Sequence, residues 1–113
     1  MGIKEVLLYV SEAAVAGTGT GAVYKASDFL GAEATAATKT KFFFRRELGT
    51  NSSGNVELTH TTDGHLQIME AMANLMSSAG GFKIVADEAN GLFMQVPSRG
   101  ATAISISEAD VTI

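Results

Sequence analysis

Hydrophobic residues recur with a period of two along most of the chain and with a period near 3.6 in one stretch. Ile3 to Val10 is apolar on both faces and rich in β-branched and aromatic residues, which predicts a strand with neighbours on either side. Ala22-Val23-Tyr24-Lys25 predicts a short strand, and Ser27 is placed to cap a turn through Asp28-Phe29-Leu30. Ala32 to Ala37 is too rich in alanine to assign. From Thr38 to Leu48 the alternation is long. Phe42 and Phe44 share a face with Thr38, Thr40, Arg46 and Leu48, while Lys39, Lys41, Phe43, Arg45 and Glu47 take the other. Gly49 to Asn55 consists of turn formers, and Val56 to Thr61 alternates again, so the two stretches predict an antiparallel hairpin.

The helical stretch runs from about Asp63 to Ala79. Ile68, Met69, Met72, Leu75, Met76 and Ala79 form one stripe, and Gln67, Glu70, Asn74 and Ser77 face away from it. Thr62 or Asp63 can cap its start, and Gly80-Gly81 can end it in a left-handed turn. Phe82 to Ala86 predicts a strand, Asn90-Gly91 a tight turn and Leu92 to Val96 the return strand. Pro97 to Gly100 turns the chain, Thr102 to Ser107 alternates, and Val111 to Ile113 keeps β-type residues. The expected fold is one α+β domain over residues 1–113: mainly antiparallel sheet, in one or more layers of about six strands, with one principal amphipathic helix at 63–79.

Composition narrows the function. Of 113 residues 46% are apolar and 18% charged, with a net charge of −4, a balance that folds instead of staying disordered. The acidic excess creates no general field for phosphate backbones, so nucleic acid is not the expected partner. The absence of cysteine excludes disulfides, thiolate metal sites and cysteine nucleophiles. Nothing approaches the roughly 20 apolar residues that span a bilayer, so no membrane partner is expected. Glu5 and Glu12 flank the apolar run Val6 to Val10, which argues against a secretion signal and for a soluble protein or soluble precursor.

Four clusters carry potential chemistry. Gly17, Gly19 and Gly21 follow an apolar strand, but their spacing is not that of a phosphate-binding loop and no Lys-Ser/Thr follows, which leaves a flexible connector. His60, Asp63 and His65 could contribute to a metal set, yet they straddle a turn, there is no third histidine, and Asp63 has a simpler role as a helix cap. Asp87-Glu88 beside Asn90-Gly91 gives adjacent carboxylates, which in a hairpin turn project apart into solvent. Lys39, Lys41, Arg45 and Arg46 surround three phenylalanines, a pattern found on single-strand nucleic-acid platforms, although phenylalanines packed inward beside a positive edge that repels mispairing or meets an acidic neighbour are the preferred explanation. The methionines Met69, Met72, Met76 and Met94 read as core filler. No catalytic residue, cofactor site or metal site is assigned.

Coverage poses the sharper question. A helix of this length is about 25 Å long and about 10 Å wide, and strands lie about 4.8 Å apart, so it shields only two or three of them. Either the strands close into a sandwich or barrel, or another subunit covers them. On that reading the contact surface includes Lys39, Lys41, Phe43, Arg45, Val85 and Phe93, and the partners are other copies of the chain.

Thr59-His60-Thr61-Thr62-Asp63-Gly64-His65-Leu66-Gln67-Ile68-Met69-Glu70-Ala71-Met72, followed by Gly81-Phe82-Lys83-Ile84-Val85-Ala86-Asp87-Glu88-Ala89-Asn90-Gly91-Leu92-Phe93, resembles small proteins of marine tailed phages, cyanophages in particular. Those proteins show a strand, a helix with a Gly-His and a later Met-Glu-Ala, a hairpin and a final strand; the likeness spans Val56 to Ile106, and Glu88-Ala89 departs from the common pattern. The resemblance implies a non-enzymatic virion component, with no catalytic residues to carry over. The expectation is a multi-copy capsid-associated subunit of the decoration or cement type, located in the virion and in the host cytoplasm during assembly, with itself and a major capsid protein as partners. The alternatives are a tail or filament subunit and, from another class, a small nucleic-acid- or ligand-binding module that uses strand 39–46.

Overall fold

The computed structural model describes residues 5–13, 21–45, 53–97 and 103–112. The glycine-rich connector before Gly21, the far end of the Thr38 to Leu48 strand with the following loop, and most of the Pro97 to Gly100 turn lie outside these residues. In chain order the elements are β1 (Val6–Ser11), β2 (Gly21–Lys25), a 3-10 turn (Ala26–Asp28), β3 (Phe29–Ala36), β4 (Lys39–Arg45), β5 (Ser53–His60), α1 (His65–Met76), β6 (Gly81–Asp87), a second 3-10 turn (Glu88–Asn90), β7 (Leu92–Phe93) and β8 (Ile106–Thr112).

The eight described strands form two four-stranded sheets rather than about six strands. Sheet A has the order β2-β1-β6-β7 and sheet B the order β3-β4-β5-β8. All neighbours are antiparallel except β1 and β6. The alanine-rich segment left unassigned by pattern becomes part of β3, because pairing along Phe42, Lys41 and Thr40 of β4 supplies the hydrogen bonds that its small side chains do not specify. The two short stretches expected near the C-terminus merge into β8, whose Ile106, Ala109 and Val111 are buried. The strand expected through Leu92 to Val96 is regular only at Leu92 and Phe93, with one further bond from the Met94 N–H to the Val85 carbonyl.

The sheets pack face to face. Val6, Leu8 and Val10 of β1, Tyr24 of β2 and Val85 of β6 meet Phe42 and Phe44 of β4, Val56 and Leu58 of β5, and Ile106, Ala109 and Val111 of β8 in one apolar cluster. Across the gap the rings of Tyr24 and Phe44 stack at 4.6 Å, and within sheet B Phe29 leans on Phe42 and Phe44 at 6.3 and 5.7 Å. α1 packs against β1 and β6 of one sheet and β4 of the other and inserts Ile68, Ala71 and Met72 into the same cluster. The helix therefore lies on the inner side of both sheets, and the outer faces receive no cover from it.

The helix is shorter than the span 63–79. Asp63 sits in a left-handed conformation, φ 59°, and its N–H bonds the Ala37 carbonyl, so it belongs to the preceding turn. Gly64 takes the cap position without a side-chain cap bond. At the other end, the hydroxyls of Ser77 and Ser78 bond the carbonyls of Asn74 and Leu75, and Gly80 and Gly81 at φ 100° and 98° lead into β6. The expected Ser27 cap is also replaced: its hydroxyl bonds the Glu5 carboxylate at 2.7 Å.

Gly64 is buried where the β5–α1 connection passes under Ile104. A Cβ there would lie 2.6 Å from Ile104 Cγ2 and 3.1 Å from the Thr61 carbonyl oxygen. Gly64→Ala is expected to cost about 1–3 kcal/mol. Most of that loss should disappear in an Ile104→Ala background, as read by urea unfolding of the four chains of a double-mutant cycle.

Candidate interaction surfaces

The outer faces of the two sheets are chemically opposite. On sheet B, Glu33, Lys41, Glu57 and Asp110 stand side by side across four strands, alternating in sign except at the last pair. Lys39 and Lys41 reach Glu57 at 3.8 and 3.9 Å, and the Thr35 hydroxyl donates to Glu57 at 2.7 Å. Arg45 pairs with Asp28 at 3.3 Å. The split of β4 into an inner set, Thr40, Phe42 and Phe44, and an outer set, Lys39, Lys41, Phe43 and Arg45, follows the sequence pattern. The three outer cations are each engaged by a carboxylate of the same chain, and the half-buried Phe43 lies opposite Gly31 and Asn55.

The outer face of sheet A is greasy. Leu7 and Tyr9 of β1, Val23 of β2, and Phe82 and Ile84 of β6 are register neighbours on that face. Val23 is 49% and Phe82 58% exposed, and Phe82 lies 5.5 Å from the Tyr9 ring, tilted against it. Lys25, opposite Leu7, is a charged residue at its margin. The expectation of a central strand apolar on both faces thus has a physical outcome: one set of β1 side chains enters the core and the other meets solvent. Val85, expected on an outer surface, is fully buried, because Phe82 and Ile84 pair with Leu7 and Tyr9 on the outer face and alternation along β6 puts Val85 on the inner one. Phe93 is half-buried against that core and is not on the exposed patch. The residues that sequence reasoning missed are Leu7, Val23, Phe82 and Ile84; the doubly apolar pattern of β1 was the signal for them.

A third feature lies between the sheets at the edge of β8. The Val111 N–H donates to Glu12 Oε2 at 2.7 Å and the Ala109 N–H to Glu88 Oε1 at 2.8 Å. Two carboxylates from the ends of sheet A strands thereby cap N–H groups that β8 would otherwise present to solvent. Asp87-Glu88 is accordingly not a solvated turn. Asp87 is buried and accepts from the Asn90 amide at 2.8 Å, while Glu88 joins the two sheets. The adjoining groove, about 280 Å³, gathers Glu12, Glu57, Glu88, Glu108 and Asp110 around Lys39. The Asp110 carboxyl is held above its ordinary value, first by its hydrogen bond to Glu12, then by partial burial and the Glu12 charge, with Lys39 and Lys41 opposing.

The two histidines are placed by backbone hydrogen bonds. His60 Nδ1–H donates to the Thr61 carbonyl at 2.8 Å, which leaves Nε2 to accept from the Thr40 hydroxyl at 2.8 Å. His65 Nε2–H donates to the Ala36 carbonyl at 2.6 Å. Their rings meet edge to face at 5.1 Å and Asp63 points into solvent, so the three side chains do not converge on one point. Among the described residues no group of three or more His, Asp or Glu side chains is arranged to hold a metal ion, and no helix is long and apolar enough to cross a membrane. Met72 and Met94 are buried, and Met69 and Met76 pack against the core.

No protein-family model, curated protein or solved structure matches the chain.

Glu88→Ala leaves the Ala109 N–H without its acceptor and is expected to cost about 1–3 kcal/mol, while Glu88→Gln retains most of the wild-type stability in the same denaturation assay. Asp110 titrates in the opposite sense to a salt-bridged carboxylate. The fold favours its protonated form, so the stability it contributes is present at low pH and is lost as pH rises through its folded-state pKa. Asp110→Asn, which keeps a donor toward Glu12 at every pH, should stabilise the protein at pH 7. The gain should vanish at pH 3, as read from unfolding free energies across that range.

Proposed function

We propose that the chain is a non-enzymatic structural subunit that works in many copies by burying surface against other proteins, and that it does so in a phage virion as a capsid-associated subunit. The observation that carries this reading is the exposed apolar face of Leu7, Tyr9, Val23, Phe82 and Ile84, which the chain's own helix does not cover. A contiguous apolar patch on a sheet marks a protein contact more often than a free surface. The partner's face is expected to be apolar at its centre, with acidic groups meeting Lys25 at the margin. The virion setting is supported by the resemblance at Thr59 to Met72 and Gly81 to Phe93, which build the β5–α1 junction and the β6–β7 hairpin.

Pairing of Lys39, Lys41 and Arg45 with Glu57 and Asp28 weighs against a nucleic-acid platform on β4, because phosphates would have to displace carboxylates already in place. The test has two arms. Val23→Lys with Phe82→Glu should reduce the sedimentation coefficient to that of a monomer, or abolish recovery with purified particles at fixed copy number, with the melting temperature unchanged within a few degrees. A wild-type chain that sediments as a monomer at micromolar concentration and does not associate with particles would overturn the reading.

A further inference from the structure

The connection from β5 to α1 is pinned at several points to the turn between β3 and β4. The His60 N–H bonds the Thr38 carbonyl, the Asp63 N–H the Ala37 carbonyl, and His65 Nε2–H the Ala36 carbonyl. His60, 4% exposed, adds the buried bond from Thr40 and lies edge to face with His65. We propose that this histidine pair is an acid-sensitive latch: protonation of His60 frees the β5–α1 junction from the β3–β4 turn while the two sheets stay folded.

The geometry gives the reason. Nδ1–H is already committed to the Thr61 carbonyl, so an added proton must go on Nε2, where the Thr40 hydroxyl now donates. Nε2 becomes a donor, Thr40 must turn its oxygen toward it, and the hydroxyl proton loses its acceptor. The new charge would also be buried without a counter-ion among the described residues. β4 faces His60 with Thr40, while Lys39 and Lys41 occupy its opposite face. β8 sets Ile106 opposite His60, and Glu108 lies beside Thr59 on the outer face. In the connection Asp63 is exposed, and α1 contributes His65 at its positive N-terminal end. Burial and the neighbouring His65 both lower the His60 pKa from its ordinary value of 6.5, and the hydrogen bond to Thr61 partly offsets them.

The response is local because the other holds on the junction do not involve the His60 ring: Thr61 exchanges two hydrogen bonds with Ser105, and Ile68 anchors α1 in the core. The first turn of α1 carries neither a side-chain cap bond nor an acidic residue. The aromatic contact that joins the sheets, Tyr24 with Phe44, belongs to other residues. The sign follows from linkage: the folded state disfavours protonated His60, so the junction is fully held above about pH 6.5 and loosens as pH falls below it.

Amide hydrogen exchange with intrinsic-rate correction tests the latch on the intact chain. Between pH 7.5 and 5, protection at Thr61 to Ile68 and at Ala36 to Thr40 should fall, by no more than about thirtyfold, the limit set at pH 5 by an ordinary imidazole pKa of 6.5 in the open form. Amides of β1 and the middle of β4 should be unchanged, and His60→Gln, neutral at every pH, should remove the pH dependence. Equal protection of the wild-type junction at both pH values, the same loss in His60→Gln, or a loss shared equally by β1 would overturn the proposal. Should His60→Gln not fold, the imidazole titration of wild-type His60 by NMR decides. The ring must protonate over the pH interval in which the junction amides lose protection, and a mismatch overturns the proposal as well.

Discussion

One interior serves the whole molecule. Two four-stranded sheets and one helix present more apolar surface than a single contact layer can hold, and the layer that forms is the one between the sheets, with the helix wedged into it. Phe42, Phe44, Leu8, Leu58 and Met72 make that arrangement favourable, since each is removed from water almost completely. The cost is geometric. A helix spent on the inside cannot shield the outside, so the chemistry of each outer face is left to its own side chains.

Sheet B meets that constraint with charge. Glu57 collects Lys39, Lys41 and Thr35, and the cross-strand row from Glu33 to Asp110 keeps the surface polar and in register. Its β8 edge is sealed by Glu12 and Glu88, which replace the strand that would otherwise pair there. Among the described residues sheet A has no such device on its outer face, where Tyr9, Val23 and Phe82 meet water. The contrast between the two faces, within one small chain, is the physical ground for reading one as solvent-facing and the other as a contact.

Much of this was legible in the residue pattern. The inner and outer sets of β4, the β4–β5 hairpin, the amphipathic stripe of α1 and the turn at Asn90-Gly91 all follow from periodicity and turn chemistry. The two-sheet split was open because periodicity states which face a strand hides but not against what. β3 escaped because alanine has no strong preference, and its strand exists by virtue of its partner. Val85 was misplaced because both alternating sets of β6 are apolar, and the larger Phe82 and Ile84 turn outward with Leu7 and Tyr9 while Val85 turns in. The roles of Glu12 and Glu88 were invisible for a different reason: each acts on β8, and no local pattern couples residues 99 and 21 positions apart.

The most direct measurement is side-chain accessibility of Tyr9 and Phe82 by hydroxyl-radical footprinting, compared between dilute protein and the assembled material. The account expects both rings to react in the dilute chain and to be protected on assembly, with the inner-face Phe42 silent in both. Rings that stay equally reactive at every concentration and on the particle would contradict it, because the apolar face would then be a permanent outer wall.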